Sequence, residues 1–235
     1  MSDAPAMPSP TQSFFKTWVD ALTKPREETY AAIAASPKAK AMTGYVWVFL
    51  TSIAASLLTL IVQGSTIRSR LGEAGVGSEQ LGGGGFAAVA FTLLCGAPIA
   101  AILVTAFFAI FVALVQWIAK MFGGKGTNDQ LAYTMAAITA PYSLVSAVFA
   151  ALSAIPYVGL CFQIVVSLAG IYVLVLAIMA VKAVNQFGWG PAIGSYFIPG
   201  LAVFLVCCCI AVVVFSVTGL ALGDVFSSIN QSLIP

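Results

Sequence analysis

Residues 130–181 read QLAYTMAAITAPYSLVSAVFAALSAIPYVGLCFQIVVSLAGIYVLVLAIMAV, a run without one Asp, Glu, Lys or Arg. A helix crossing a ~30 Å hydrocarbon core needs about 20 apolar residues. The run therefore holds two crossings, and Ile155-Pro156-Tyr157-Val158-Gly159 supplies a tight, uncharged turn between them. Transmembrane strands would alternate apolar and polar residues, whereas this stretch is apolar on every face. It reads as two helices in lipid, at about 130–155 and 158–184.

The rest of the 235-residue chain agrees. Hydrophobic residues make up 60% and charged residues 8%, against a soluble average of roughly 25% charged. Ten basic and eight acidic side chains cannot cover a soluble globule of this size. Charge is also missing from 44–63, 86–119 and 183–223. The first span is set at Thr43–Gln63. The next apolar run, Phe86–Phe122, would be about 55 Å long as one helix at ~1.5 Å per residue. Gly96 and Pro98 break it, because proline lacks a backbone donor and glycine weakens helix. The expectation is a short interfacial or re-entrant helix over 86–96 and a span over 98–122. Gly188-Trp189-Gly190-Pro191 stops the fourth span, and Ala192–Leu222 carries a fifth with a bend at Pro199-Gly200. The fold class is an all-α membrane protein with five transmembrane helices and short interfacial helices. Residues 1–41 form a cytoplasmic segment, 42–222 the membrane domain and 223–235 an external tail.

Lys and Arg in short loops set orientation. Eight basic residues (Lys16, Lys24, Arg26, Lys38, Lys40, Lys120, Lys125 and Lys182) fall on one side, and only Arg68 and Arg70 on the other. That bias puts the N-terminus in the cytoplasm and the C-terminus outside. No cleavable signal peptide is visible, since the first long apolar run begins some forty residues in.

Several chemistries are excluded. A net charge of +2 is too small for nucleic acid, and the absence of His removes the commonest metal ligand and acid–base catalyst. Ion-coupled carriers place ionisable groups inside the bilayer, and these spans hold none. Gln63, Gln116 and Gln163 fit bonding between helices better than lining a path. Lys182, at the end of the fourth span, is read as snorkelling to the interface. Cys95, Cys161, Cys207, Cys208 and Cys209 sit in apolar spans as small hydrophobes, without metal-ligand spacing. No catalytic residue, cofactor site or metal site is expected.

Two glycine clusters imitate nucleotide loops. Gly123-Gly124-Lys125-Gly126-Thr127 lacks the Ser or Thr required directly after the Lys and has no strand before it. Thr127 and Gln130 instead have capping-box spacing for the third span, with Asp129 favouring the same helix start. Gly82–Gly85 reads as an external loop.

Near the N-terminus, Phe14, Phe15, Trp18, Val19 and Leu22 share one face of a helix, opposite Lys16, Thr17 and Asp20. A helix lying on the inner membrane surface fits this pattern. So does a helix packed on the ends of the protein's own spans, which buries the same stripe. In the third span, Ala132, Ala136 and Ala140 recur at four-residue spacing, and Ser143, Ala147 and Ala151 continue the ridge beyond Pro141. Gly170, Ala177 and Ala180 offer small surfaces on the fourth. Small residues let membrane helices approach closely, within a chain or between chains; packing within the chain is the preferred reading.

In their order and spacing, Phe122-Gly123-Gly124-Lys125-Gly126-Thr127, Leu131-Ala132-Tyr133, Ala140-Pro141-Tyr142-Ser143, Ile155-Pro156-Tyr157-Val158-Gly159, Lys182-Ala183 and Gly190-Pro191-Ala192 resemble the core of the Yip family. The resemblance covers about residues 15–215. It implies five spans, a cytoplasmic N-terminus, no catalytic residue, and small GTPases as partners. Eukaryotic members carry an Asp-Leu-Tyr-Gly-Pro motif that this chain lacks, so it resembles the prokaryotic branch, in the plasma membrane. The expected function is a membrane-organising or scaffold role, or one related to trafficking, through the bilayer, other membrane proteins or self-association. A passive channel or carrier for a neutral or lipid-like substrate stays open beside it, as does an accessory subunit of a larger membrane complex.

Overall fold

The structure is a computed structural model that describes residues 14–73, 95–153, 159–205 and 208–209, with the side chains of 60–73 outside the description. Residues 86–94 of the helix expected over 86–96, the Gly82–Gly85 loop, the Pro156 turn and the chain after Cys209 therefore lie outside the described residues.

The elements are α1 (Phe14–Thr23), α2 (Glu27–Ala34), α3 (Ala41–Glu73), α4 (Ala97–Met121), α5 (Asn128–Leu152), α6 (Gly159–Asn185) and α7 (Trp189–Leu205). Among the described residues, Ala41–Thr59 of α3 and the whole of α4, α5 and α6 are long and apolar enough to cross a membrane; α7 is a shorter apolar helix. The chain is an all-α, multi-pass membrane protein.

α3 corrects an expected boundary. It runs unbroken for 33 residues, past Gln63 to Glu73. The end of an apolar run marks the end of hydrocarbon contact, but the helix continues because its hydrogen bonds are internal. The helix is already under way at Cys95 and Gly96, a π turn that runs straight into α4 with Gly96 in helical backbone, so no break falls at Gly96 among the described residues. Pro98 sits in the first turn of α4, where its missing donor costs nothing.

α5 is the axial helix and touches α1, α2, α3, α4 and α6. Leu131 to Ile138 are buried on every face, whereas the far end of α5 exposes Val145, Val148 and Leu152. Its closest approach is to α3. A Cβ on Gly44 would lie 2.9 Å from the Ala132 carbonyl oxygen and 3.1 Å from Ala136 Cβ, so only glycine allows the two backbones to meet there. Further along, Gly170 of α6 faces the Tyr142 hydroxyl of α5, 3.2 Å from where its Cβ would be. α7 rests on α4 through Phe111 and Tyr196, with ring centroids 5.4 Å apart.

The N-terminal segment shares the same core. Ala21, Tyr30, Ile33 and Ala34 are buried in one cluster with Leu131, Met135, Ala180 and Val184.

Candidate functional site at the charged end of the bundle

Among the described side chains, every Asp, Glu, Lys and Arg belongs to the segment before α3, to the 120–129 connection, or is Lys182. The helices bring these groups to one end. The Ala41 amide donates to Asp129 Oδ1 at 3.2 Å, joining the starts of α3 and α5. Asp129 thus supports two helix starts, only one of which was legible in its spacing.

The 122–127 connection folds as one helix cap followed by another. Gly123 adopts φ +84°, and the Gly124 and Gly123 amides donate to the Ala119 and Lys120 carbonyls at 2.9 and 3.0 Å. This is a Schellman close of α4. Thr127 then caps α5: its hydroxyl accepts from the Gln130 amide while the Gln130 side chain accepts from the Thr127 amide. The glycines that imitate a phosphate loop serve helix termini.

Behind this connection sits a buried amide pair. Gln116 Nε2 on α4 donates to Asn185 Oδ1 on α6 at 2.9 Å and to the Gly126 carbonyl at 2.7 Å. Asn185 Nδ2 donates to the Val181 carbonyl at 3.1 Å, and the Lys125 amide donates to the Asn185 carbonyl at 3.2 Å. Gln116 and Asn185 are 3% and 0% exposed, so the polar groups find their partners in the protein. Cβ atoms on Gly124 and Gly126 would come within 2.6 Å of Asn185 Oδ1 and Val184 Cγ1, which leaves room only for glycine. Sequence reasoning singled out Gln116 and the glycines but missed Asn185, whose one signal was a carboxamide ending an apolar helix.

α1 and α2 are bonded onto the same end. The last α1 carbonyls, orphaned by helix geometry, are taken by specific donors. Thr23 Oγ1 donates to Val19 at 2.7 Å, the Lys24 amide to Asp20 at 3.0 Å, Tyr30 Oη to Ala21 at 2.8 Å, and Tyr172 Oη of α6 to Leu22 at 2.7 Å. Burial raises the Tyr30 hydroxyl above the ordinary tyrosine range, with Tyr172 adding to the shift. Thr17 is buried beside Tyr133 of α5. Trp18 meets Trp47 of α3 edge-on at 5.7 Å, and Trp47 meets Tyr133 at 4.9 Å.

The aromatic stripe of α1 is therefore divided. Trp18 and Leu22 pack against the core, while Phe14 and Phe15 are 59% and 63% exposed. Thr17, placed by its polarity on the outer face, is instead buried, on the side of α1 that faces Tyr133. Lys182 is a second correction. Its ammonium pairs with Glu27 of α2 and lies 4.6 Å from the Trp189 ring, and the side chain is 16% exposed. It does not snorkel, because α2 brings it a carboxylate.

The small-residue ridge lies mostly inside the molecule. Ala132, Ala136 and Ala140 are fully buried, Ala147 is buried, and Ser143 and Ala151 are half-buried. The Ser143 hydroxyl donates to the Ala140 carbonyl at 2.8 Å. Pro141 lies inside α5 without ending it, Gly159 abuts the Ser153 carbonyl, and Ala183 packs on the core. Pro156 is outside the described residues.

No curated protein and no solved structure matches the chain. The Yip1 domain does, over residues 19–212. That span begins inside α1 and includes the amide pair, both caps and the Lys182 contact. The chain belongs to the Yip1-domain family of membrane proteins.

Proposed function

We propose that this protein is a non-enzymatic membrane organiser that works by association at its charged end. The observation that carries the reading is the attachment of α1 and α2 to α3 and α6 through the Trp47, Tyr172 and Lys182 side chains. A segment held this way presents Arg26, Glu28 and Lys38 on a fixed frame, suited to a protein partner or a second copy. Small GTPases enter only through family resemblance. In this reading the apolar run 192–222 makes a fifth crossing, the charged end is cytoplasmic by the positive-inside rule, and the membrane is a prokaryotic plasma membrane.

The spans between Thr43 and Thr59, Ala97 and Ala119, and Gln130 and Val181 contain no Asp, Glu, Lys, Arg or His. Moving charge through such a medium needs compensating groups or a wet pore. Purified protein in liposomes is expected to show neither ion conductance nor flux driven by a proton or sodium gradient. Reproducible gradient-driven uptake, abolished by Ala136→Leu, would overturn association in favour of a carrier.

A further inference from the structure

The two flanks of the bundle meet lipid at different depths. The hydrogen bond between Gln116 and Asn185 places these residues of α4 and α6 at one level. On α4, exposed apolar side chains run from Ile99 to Met121, through Phe107, Ile110 and Trp117. That is 22 residue steps, or about 33 Å at ~1.5 Å per step, which matches a ~30 Å hydrocarbon core. Trp117 is 63% exposed and adjoins Gln116, so the apolar face reaches the common level.

On α6 the exposed apolar face stops early. It extends from Leu160 to Val175, 15 residue steps or about 23 Å. From Leu176 to Asn185 every residue of α6 is buried or half-buried, and α2 packs along this helix. From Lys24 to the start of α3 the exposed outer surface of the covering segment carries Lys24, Arg26, Glu27, Glu28, Lys38 and Lys40, with alanines and Pro37 among them. Its exposed apolar side chains, Phe14, Phe15 and Val19, are confined to α1. The segment also reaches deep. The Leu22 carbonyl is held by Tyr172, which lies 13 residues from Asn185, about 20 Å along α6. Lys24 follows two residues later, with its side chain 61% exposed and paired with its neighbour Asp20.

Exposed charges of both signs do not sit against acyl chains. We propose that the α1–α2 connection and α2 form a water-facing wedge on the α6 flank, so that the leaflet at the charged end stops about 15 Å short there while it covers α4 to the Gln116 level. The surface that bilayer lipid occupies is the long apolar face of α4 and the shortened face of α6. A bilayer meets such a shape by thinning beside α6 and by tilt of the bundle, the usual responses to mismatch. The inference rests on the membrane-organising reading and names its physical means: an asymmetric hydrophobic girth that deforms the leaflet around one side of the molecule.

The test is depth-resolved spin labelling of the full-length protein in vesicles, with the five native cysteines replaced by alanine. Labels at Lys24→Cys and Trp117→Cys are compared for collision with oxygen, which concentrates in lipid, and with a water-soluble nickel chelate. Arg26→Cys and Ala113→Cys are the second pair, read if a first-pair protein fails to run as a single species on gel filtration. Position 24 lies deeper along the bundle than position 117, yet it is expected to collide with nickel, and 117 with oxygen. Oxygen-dominated collisions at 24 and 26, or nickel-dominated collisions at 117 and 113, would overturn the wedge. That failure would be distinct from failure of the association reading, because conductance and gradient-driven flux do not depend on which flank is wet.

Discussion

Gln116 and Asn185, 69 positions apart in the chain, place their side-chain amides in reciprocal contact, with Gln116 Nε2 2.9 Å from Asn185 Oδ1 and Asn185 Nδ2 3.4 Å from Gln116 Oε1. The pair is buried and also holds Gly126, so it locks the ends of α4 and α6 to the connection between α4 and α5. Removing one partner strands the other. Gln116→Leu or Asn185→Leu is expected to cost about 1–3 kcal/mol, and the double replacement less than the sum of the two. Thermal unfolding in detergent, followed by far-ultraviolet circular dichroism, measures this cycle. Fully additive losses would mean that the amides do not act as a pair.

Gly44 tests the close approach of α3 to α5. Alanine is the better helix former by about 1 kcal/mol, so propensity alone favours Gly44→Ala. The clash with the Ala132 carbonyl predicts the opposite sign, a loss of about 1–3 kcal/mol from overpacking. Gly190→Ala, in the first turn of α7 where an added Cβ meets nothing within 4 Å, is the control and should be neutral to stabilising in the same melting assay. A stabilising Gly44→Ala would show that the helices have room to spare.

The contact between Lys182 and Glu27 should act locally, since Glu27 is about half exposed and pairs of this kind contribute ~0–1 kcal/mol. Glu27→Gln is expected to speed amide hydrogen exchange in α2 while leaving α5 unchanged, and to shift Trp189 fluorescence as the cation above it is released. Exchanging the charges, with Glu27→Lys and Lys182→Glu together, should restore slow exchange in α2. Unchanged exchange in the single variant would remove the pair from the account of how α2 is held.

Tyr30 makes the attachment sensitive to alkali. Its pKa is raised in the folded protein, so the neutral hydroxyl is the form that folding favours. Its contribution is complete below the ordinary tyrosine value of about 10 and falls as pH rises above it. Proteolysis after Arg26 should therefore accelerate above that pH. In Tyr30→Phe, which cannot ionise, cleavage should be faster at neutral pH and respond less to alkali. An identical pH profile in both proteins would contradict the capping role of the hydroxyl.

How far these features were legible in sequence depends on the range over which each is determined. The Thr127–Gln130 box, the proline in the first turn of α4 and the long apolar helices are local patterns, readable from spacing within a few residues. Asn185 and Glu27 draw their roles from partners 69 and 155 positions away, and no periodicity within α6 or α2 encodes those distances. Lys182 at a span end has the appearance of a snorkelling residue until α2 is placed beside it. The α1 stripe was ambiguous for a physical reason: an apolar face satisfies lipid and protein equally, and here Trp18 and Leu22 meet protein while Phe14 and Phe15 do not.

The most direct test of association at the charged end is site-specific photo-cross-linking in native membranes. A photoreactive residue at Glu28, exposed on α2, is compared with one at Leu168, exposed on the apolar face of α6. The account predicts discrete protein adducts from position 28, to a partner or to a second copy of this chain, and lipid adducts alone from position 168. Protein adducts confined to position 168, with none from position 28, would contradict it and move the working surface into the membrane.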